Sequence, residues 1–400
     1  MIALPATTVV TLAVGVATLF ALAVATELAA RRQIRSRREY FVLPPGLRQH
    51  LKIDTEVFPD LQPDVRFDVN SEGERGDEVP TETQGLHRIL VGGGSQAEGF
   101  MLDQHTAWPG ALQGILDRPD TRRRLGASRV HVGSIARSGI GSEALDLIFE
   151  RVLPRYPYMS AIIVQVGVSD VLHWLEEGAP PHPSGAVRVP EVFRCHPEGP
   201  FGWTPRTLAA VELVRRVRRT RLRPVSVHEQ AGRWYKRAAA MRARAKEIRH
   251  NTPDPAPMLD HFEYHFRRLL QRAIANADRV LVVHQPWLDK EFTPTEAARM
   301  WHGGVGQVWR QEVTAYYSFE VVSQLVTLLE MRVARVANEL RLQHLNLMPL
   351  LDQSLETFYD CFHLTPAGAM TVARAIADTL LSSHQEVIVP KPGKPLARVR

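Results

Sequence analysis

Ser95 is the first residue whose type and setting suggest chemistry. It follows three glycines at the end of an apolar run, in the segment RILVGGGSQAEGF (residues 88–100). Glycine adopts backbone angles that a Cβ forbids, and a sharp turn at the end of a strand can expose one hydroxyl as a nucleophile. A flexible strand-to-helix loop explains this stretch equally well when it is taken alone, because short glycine motifs are common.

A general base and a residue to orient it are found near the other end of the chain. Asp360 and His363 are three residues apart in YDCFHLTPAG, and Thr365 and Pro366 then form a helix start, with Thr as N-cap and Pro at the first helical position. In a loop before such a helix, the carboxylate can reach the imidazole Nδ1–H and leave Nε2 for a hydroxyl. Taken alone, the pair is also explained by a purely structural contact.

Two more segments end apolar runs and contain candidate oxyanion donors. SIARSGIGSEA (residues 134–144) places Gly139 at a turn into a helix, where a backbone N–H can point at a developing oxyanion. QVGVSDV (residues 165–171) places Gly167, Ser169 and Asp170 after the next run. Other polar and aromatic residues could border a pocket, and for these we favour a structural role: His173, Trp174, His284, Gln285 and the loop WHGGVG (301–306).

These segments must be positioned by the elements around them. Five apolar runs are continuous rather than alternating, which is typical of parallel strands covered on both faces: 87–93, 129–135, 161–167, 279–285 and 344–350. Helices are predicted between them near 107–117, 141–153, 258–277, 307–342 and 366–382. This alternation predicts an α/β fold, a three-layer α/β/α sandwich with five mostly parallel strands, whose sites lie beyond the carboxyl ends of the strands.

The order of the four segments resembles the SGNH, or GDSL-type, hydrolase superfamily, and in particular its membrane-anchored bacterial members. The resemblance covers about residues 66–382 and includes the lead-in VNSEGERGDE (69–78). It implies the flavodoxin-like fold of that family, with Ser95 as nucleophile, His363 as general base and acid, and Asp360 as the residue that orients His363. It also implies an oxyanion hole formed by the backbone N–H groups of Ser95 and Gly139 and by the side chain of Ser169.

Two residues depart from the family pattern. Ser169 stands where the family has Asn, and Gly94 stands where the Asp of the Gly-Asp-Ser block is usual. The resemblance implies a serine esterase or O-deacylase that forms an acyl-enzyme on O-acyl esters such as acetylated glycans or lipids. The two departures keep an alternative open, in which a catalytically weak or inactive relative binds an envelope glycan or a partner.

Composition excludes several classes of protein. The chain has 400 residues, of which 44% are hydrophobic, and this is enough for a large core. Its two cysteines, Cys195 and Cys361, are too few for a disulfide framework, and no cluster of Cys and His has the spacing of a zinc site. We therefore expect no metal and no cofactor. Cys361 is interpreted as a small packed side chain.

The N-terminus contains the longest apolar segment. No charged side chain occurs before Glu27, and the stretch from Ile2 to Thr26 is long enough to cross a bilayer as a helix. We expect a single-pass anchor; a cleaved signal peptide is the competing interpretation. Five arginines between Arg31 and Arg38 follow the span and favour a cytoplasmic domain, whereas an envelope glycan substrate requires an outward-facing one.

The expected organisation is an anchor (1–30), a juxtamembrane lead-in (31–85), an SGNH hydrolase-like domain (86–385) and a disordered tail (386–400). A basic helical insertion (178–257) interrupts the domain, and residues 201–250 contain 14 Lys and Arg against 3 Glu. This charge suits an anionic surface or a protein partner, although a solvated helical face explains it as well. Nucleic acid is not expected, because the segment lacks interleaved aromatic residues for base stacking.

Overall fold

A computed structural model describes residues 6–36, 39–182, 186–197, 208–221, 229–231 and 233–382. The proposed tail at 386–400 and several short parts of the basic insertion lie outside these residues.

The described residues form helices and strands in an alternating order. The helices are α1 (Ala6–Ser36), α2 (Ser95–Glu98), α3 (Trp108–Leu116), α4 (Pro119–Leu125), α5 (Ser142–Val152), α6 (Val168–Glu176), α7 (Val189–Val192), α8 (Ala209–Arg221), α9 (Arg233–Ala243), α10 (Ala256–Asn276), α11 (Pro294–Ala297), α12 (Phe319–Glu339) and α13 (Pro366–Ser382). The strands are β1 (Arg48–Ile53), β2 (Asp64–Asp68), β3 (Leu86–Gly93), β4 (Arg129–Ser134), β5 (Met159–Gln165), β6 (Glu229–Ala231), β7 (Glu247–Arg249), β8 (Ala277–Val283), β9 (Ala315–Tyr317) and β10 (Gln343–Leu345). Short 3-10 helices lie at Leu153–Arg155 and Met348–Leu350.

A five-stranded parallel sheet organises the molecule. Its strand order is β10-β8-β5-β3-β4, so the chain leaves the first strand of this sheet, β3, to one side for β4 and returns to the other side for β5. The order therefore reverses at β3, and crevices beyond the carboxyl ends of strands at such a switch point are where α/β proteins bind ligands.

Two layers of helices cover the sheet. α3, α4 and α13 pack together as one layer, while α5, α6, α10 and α12 pack together as the other. Strands between two layers of helices bury their side chains on both faces, which explains the continuous apolar runs of β3, β5 and β8. The predicted three-layer α/β/α sandwich with five parallel strands is confirmed.

Several element boundaries differ from the prediction. The run 344–350 forms only the three-residue β10, because the Asn346 side chain accepts the Met348 N–H at 3.0 Å and turns the chain into a 3-10 helix. The helix predicted for 307–342 begins at Phe319, where the Ser318 hydroxyl caps it by accepting the Val321 N–H. Before that cap, β9 pairs with β7, a contact between segments about 70 residues apart that local periodicity does not reveal.

The lead-in contains two strands. β1 and β2 pair antiparallel, and β6 from the basic insertion adds to β1 in parallel. The segment after β2 then enters the core, where Asn70, Glu74 and Arg75 are buried. The lead-in therefore contributes buried side chains to the core.

One helix of the described residues is long and apolar enough to cross a membrane, from Val10 to Ile34 within α1. Its length and composition fit an anchor and a signal sequence equally. The end of α1 packs against α8, where the Glu27 carboxylate accepts the backbone N–H groups of Ala209 and Ala210 at 3.1 and 3.0 Å. The insertion is thereby attached to the end of the apolar helix.

Candidate active site

Ser95 lies at the carboxyl end of β3, as the first residue of the short helix α2. The glycines before it permit close packing: a Cβ on Gly93 would lie 2.3 Å from the Gln165 carbonyl oxygen, and one on Gly92 would lie 2.7 Å from the Phe149 ring. Neither position can hold a side chain without movement of the sheet or the helix behind it. The glycine run therefore brings β3 against β5 and α5 and leaves Ser95 partly exposed at the rim.

His363 and Asp360 lie in the loop before α13. The Thr365 hydroxyl accepts the Gly368 N–H at 3.2 Å, so the predicted N-cap with Pro366 after it is present. The Asp360 Oδ1 accepts the backbone N–H groups of Phe362 and His363 at 2.9 Å each, which makes the loop a tight turn around the carboxylate. The turn is fixed by local hydrogen bonds, which is why three-residue spacing predicted it.

The structure brings Ser95, His363 and Asp360 into one line of hydrogen bonds. The His363 Nε2 lies 2.8 Å from the Ser95 Oγ, and its Nδ1 lies 2.9 and 2.8 Å from the two carboxylate oxygens of Asp360. The hydroxyl of Ser95, the imidazole of His363 and the carboxylate of Asp360 are thus within the reach that proton transfer requires.

Asp360 remains ionised in this setting. It is fully buried, and burial opposes its charge, but the adjacent His363 and the hydrogen bonds it accepts hold the pKa of Asp360 well below its ordinary value. The Trp301 indole N–H donates to its Oδ2 at 3.3 Å. A buried carboxylate that stays charged can stabilise an imidazolium on His363.

The loop after β4 places Gly139 beside Ser95. The Ser138 backbone N–H donates to the Glu98 carboxylate at 2.7 Å, and the Arg137 N–H donates to the Gly93 carbonyl at 3.1 Å. Gly139 has a φ of 74°, which favours glycine, and its own N–H has no hydrogen-bond partner among the described residues. Ser95 is the first residue of α2, so its backbone N–H has no hydrogen-bond partner within that helix. Neither N–H group therefore donates a backbone hydrogen bond within the described residues.

Ser169 lies at the start of α6, directly after the carboxyl end of β5. A Cβ on Gly94 would lie 3.5 Å from the Ser169 Oγ and 3.3 Å from the Ile140 carbonyl oxygen. The two positions that depart from the family pattern are therefore neighbours, and an aspartate at position 94 would have to fit into the space beside the Ser169 hydroxyl.

Asp170 has a structural role. Its carboxylate accepts the Ser142 backbone N–H at 3.0 Å and the Ser142 hydroxyl at 2.6 Å, which joins the start of α6 to the start of α5. Cys361 is buried against Met300, and burial raises the pKa of its thiol, so it stays protonated as a packed side chain.

A cavity of about 480 Å³ opens over Ser95 and His363. Gly139 and Ser169 line it, so all the residues predicted for the site face one space, except the buried Asp360. His302 lines it too, and burial lowers the pKa of His302 to about 3, so this ring is neutral beside His363. His302 and Trp301, for which we favoured a structural role, therefore form part of the site.

The basic insertion contributes one wall of this cavity. α9 places Trp234 and Tyr235 there, and the Tyr235 ring packs edge-on against Trp301 with centroids 5.8 Å apart. Tertiary packing brings the two segments together over a separation of more than 60 residues, and no local signal in the sequence marks it.

Two buried polar residues that the sequence analysis did not single out hold the loops around the site through hydrogen bonds. The Arg75 guanidinium donates to the carbonyls of Gly99 and Leu102 at 2.8 and 2.6 Å and so holds the turn after α2. The Gln96 amide donates to the Pro286 and Phe362 carbonyls, which joins the residue after Ser95 to the residue before His363. The motif VNSEGERGDE, which contains Arg75, was a sequence signal that this residue matters for the site. No sequence signal pointed to Gln96.

Two groups of side chains among the described residues have the geometry to hold a metal ion: His302 with Asp360 and His363, and Glu143 with His261 and His265. The first group is the hydrogen-bonded site itself. The second lies apart from Ser95.

Comparison with known proteins finds similarity in structure. No protein-family model matches the chain, and no curated protein matches it significantly. Among solved structures, the acetylxylan esterase Axe2 from Geobacillus stearothermophilus is similar at 14% identity and a TM-score of 0.37, covering 73% of this chain and 93% of that one. A member of the lipolytic protein G-D-S-L family from Veillonella parvula is similar at 8% identity and a TM-score of 0.38, covering 73% and 97%. The chain's own strand order, β10-β8-β5-β3-β4, places Ser95 at the switch point of an α/β sheet.

Proposed function

We propose that the chain is a serine esterase that removes acyl groups from an O-acylated glycan through an acyl-enzyme. The observation that carries the proposal is the hydrogen-bonded line from the Ser95 Oγ through His363 to Asp360, with distances of 2.8 to 2.9 Å. Such a line converts a weakly nucleophilic hydroxyl into an attacking group.

In the first half of the reaction, the Ser95 Oγ attacks the ester carbonyl carbon as the His363 Nε2 takes its proton. The charge on Asp360 stabilises the imidazolium and holds the ring with Nε2 toward the serine. His363 then returns the proton to the leaving alcohol, and the acyl group remains on Ser95. The neutral ring of His302 adds no positive charge that would oppose protonation of His363.

The negative charge on the carbonyl oxygen needs hydrogen-bond donors. The unpartnered backbone N–H groups of Ser95 and Gly139 supply two, and the Ser169 hydroxyl supplies a third. Removal of one such donor typically costs about 2.7 to 4 kcal/mol of transition-state stabilisation.

In the second half, water attacks the acyl-enzyme with His363 as its base, and Ser95 is released. Another alcohol in the place of water would accept the acyl group, because both outcomes use the same intermediate. Product analysis with and without an added sugar alcohol separates hydrolysis from transfer.

Activity-based labelling tests the nucleophile directly. The full chain in detergent is treated with a fluorophosphonate probe and analysed by intact mass, and its turnover of p-nitrophenyl acetate is measured in parallel. We expect one label per chain on Ser95 and turnover that falls to background in Ser95→Ala and His363→Ala. Ser382→Ala and His50→Ala serve as matched controls, because both residues are exposed and neither lines the cavity over Ser95.

The alternative function, a weak or inactive binding protein, predicts a different result. If the full chain is neither labelled nor active while its fold is intact, the esterase proposal is rejected and binding of a glycan or partner is favoured. Labelling without turnover of this one ester would retain the nucleophile and redirect the search to other acyl groups.

Exposed tryptophans support a glycan as the acyl carrier. Trp234 and Trp309 line the active-site cavity, and their side chains are 41% and 49% exposed, which is unusual for such large apolar residues unless they meet a ligand. The face of an indole packs well against the C–H groups of a sugar ring. The cavity of about 480 Å³ suits an extended ligand of this kind.

Comparison of a polymeric and a small ester tests this substrate class. For Trp234→Ala and Trp309→Ala, we expect KM to rise about ten-fold on acetylated oligosaccharides and to stay unchanged on p-nitrophenyl acetate. Equal effects on both esters, or faster turnover of long-chain lipid esters than of sugar acetates, would contradict the glycan proposal while leaving the esterase proposal standing.

We also propose that α1 anchors the chain and that α8 lies along the membrane surface. Glu27 binds the start of α8 at the end of the apolar helix, and Val211 and Val214 on α8 are exposed beside several arginines. A helix with exposed apolar residues and a basic face is typical of the interface between water and lipid.

A further inference from the structure

α5 and α10 pack against each other in the helix layer on one side of the sheet. Glu143 and Asp146 lie three residues apart on α5, and His261 and His265 lie four residues apart on α10. Residues three or four apart share one face of a helix, so two carboxylates meet two imidazoles between the helices. None of these four residues takes part in the proposed esterase reaction.

Glu143, His261 and His265 each place a ligand atom within 4.8 Å of the other two. The Glu143 Oε1 accepts the Val187 backbone N–H at 2.8 Å, which leaves Oε2 directed at the His261 Nε2, 3.2 Å away. Two imidazoles and one carboxylate form a frequent ligand set for zinc, with water in the fourth position. Ligand atoms around a tetrahedral zinc lie about 3.4 Å apart, so only small rotations of these side chains are needed.

Asp146 supports this ligand set from outside it. Its Oδ2 lies 3.3 Å from the His265 Nδ1, and Arg268 and Arg272 hold the carboxylate at 3.0 and 2.8 Å. When Nδ1–H donates to Asp146, Nε2 carries the lone pair that a metal needs. A carboxylate behind a ligating histidine is the usual arrangement around zinc, and it fixes the ring orientation. The two arginines offset the charge of Asp146, and Glu143 is the carboxylate within ligand distance of both histidines.

The cluster opens to solvent on one side. Glu143 and His261 line a cavity of about 390 Å³, which has room for water or another ligand on a bound ion. Gly139, Arg137 and His173 line both this cavity and the one over Ser95, so the two spaces share a wall.

We propose that Glu143, His261 and His265 bind a divalent transition-metal ion, zinc in particular, with water completing the coordination. The site joins α5 to α10 behind the loop that carries Gly139. The proposed metal site does not include Ser95, and it can be tested separately from the proposed esterase function.

Metal titration of the full chain in detergent, after removal of bound metal by a chelator, tests the proposal. We expect one Zn²⁺ per chain by competition with a chromophoric chelator, and a rise of Tm on binding. Co²⁺ in place of Zn²⁺ should give the visible absorption of a four- or five-coordinate site with nitrogen and oxygen ligands. Affinity should fall at least 100-fold in His261→Ala and His265→Ala, and about 10- to 100-fold in Asp146→Asn.

Two control variants locate the ion. His344→Ala removes a histidine of β10 whose Nδ1 lies 3.0 Å from the His284 Nε2, and it should leave zinc binding unchanged. His363→Ala breaks the other group of metal-ligand geometry and should also leave it unchanged. No stoichiometric binding, or binding that survives His261→Ala and is lost in His363→Ala, would overturn the proposal, because the cluster would then be an ion pair only.

Discussion

At the scale of single residues, hydrogen bonds and ring packing fix the orientation of Asp360 and His363. Asp360 is surrounded by donors from Phe362, His363 and Trp301, so its carboxylate has one orientation. The Tyr359 ring stacks on the His363 imidazole with an angle of 10° between their planes. The imidazole is therefore fixed in both position and plane before a substrate arrives.

The two departures from the family pattern form one local change. Gly94 leaves the space beside the Ser169 hydroxyl open, and the serine side chain is shorter than the asparagine of the family. A hydroxyl can donate to the oxyanion, but it reaches less far than a carboxamide. The site is therefore expected to work with a weaker third donor.

Substitution of Ser169 measures this donor. We expect Ser169→Ala to lower kcat about 10- to 100-fold with little change in KM, because an oxyanion donor acts in the transition state. Ser169→Thr keeps the hydroxyl and serves as the matched control, while Ser169→Asn should equal or exceed the parent. Steady-state kinetics on p-nitrophenyl acetate provide the values. An Ala variant as active as the parent would show that Ser169 does not contact the oxyanion.

The pKa of Glu176, whose side chain lines the cavity over Ser95, predicts that substrate binding depends on pH. Burial, with a smaller effect from Glu177, raises the pKa of Glu176 to about 8, so the carboxyl is neutral at pH 7 and becomes charged above pH 8. The KM of an anionic ester should rise as the pH passes through 8 and that of a neutral ester should not. Glu176→Gln should abolish the rise, and Glu177→Gln should move it to lower pH. A rise that persists in Glu176→Gln would assign it to another group.

At the scale of elements, the lead-in is fastened to the sheet by one buried carboxylate. Glu74 accepts hydrogen bonds from His131 at 2.9 Å, Arg88 at 2.9 Å and Asn70 at 3.1 Å. A Cβ on Gly133 would lie 2.3 Å from the Glu74 Oε2, so the glycine in β4 makes room for this carboxylate. The neighbouring Arg75 then reaches the turn after α2, which links the lead-in to the position of Ser95.

Because the pKa of Glu74 is lowered, its hydrogen bonds should make the free energy of unfolding depend on pH. Burial opposes its charge, but His131 and Arg88 lower the pKa of Glu74 from 4.5 to about 2. The unfolded chain binds this proton more readily, so the contribution is complete above pH 4.5 and is lost as the pH falls toward 2. The shift corresponds to about 3 kcal/mol. Denaturant unfolding of Glu74→Gln should show a deficit of this order at pH 7 that shrinks by pH 3.

The exposed Glu82 provides the matched control for that experiment. Glu82→Gln should leave the free energy of unfolding unchanged at both pH values. A Glu74→Gln deficit that is the same at pH 7 and pH 3 would mean that packing, and not the charge of Glu74, supplies the stability.

At the scale of the whole molecule, the basic insertion contacts the apolar helix α1 through α8 and also lines the cavity over Ser95 through α9. Residues 201–250 contain 14 Lys and Arg against 3 Glu, and they include both of these helices up to Ala243. This distribution favours a molecule that rests its basic side on an anionic lipid surface.

Membrane extraction tests this arrangement. We expect the full chain to remain in the membrane after an alkaline carbonate wash, with an uncleaved N-terminus by mass spectrometry. Release of the chain, or a mature N-terminus near residue 26, would identify a signal peptide instead. Protease treatment of intact cells and of inverted vesicles then shows on which side the domain lies, since the arginines after α1 predict one side and a glycan substrate the other.

Much of this molecule follows from its sequence, because the features concerned are local. Buried parallel strands require continuous apolar runs, and the turn around Asp360 with its Thr365 cap is fixed by hydrogen bonds between near neighbours. The order of four short segments resembles that of the SGNH hydrolases, and this resemblance predicted that Ser95, His363 and Asp360 meet. Their catalytic roles, like the domain boundaries, stay predictions.

Tertiary structure decided the features that depend on contacts between distant segments. The aromatic wall of Tyr235 and Trp301, the link from Gln96 to Phe362 and the cluster of Glu143 with His261 all join residues at least 60 positions apart. No periodicity or spacing records such pairs, since each side chain taken alone fits an ordinary helix or loop. Packing of the helix layers on the sheet brings these residues together. The same packing determines the shape of the cavity over Ser95 and forms the proposed metal site.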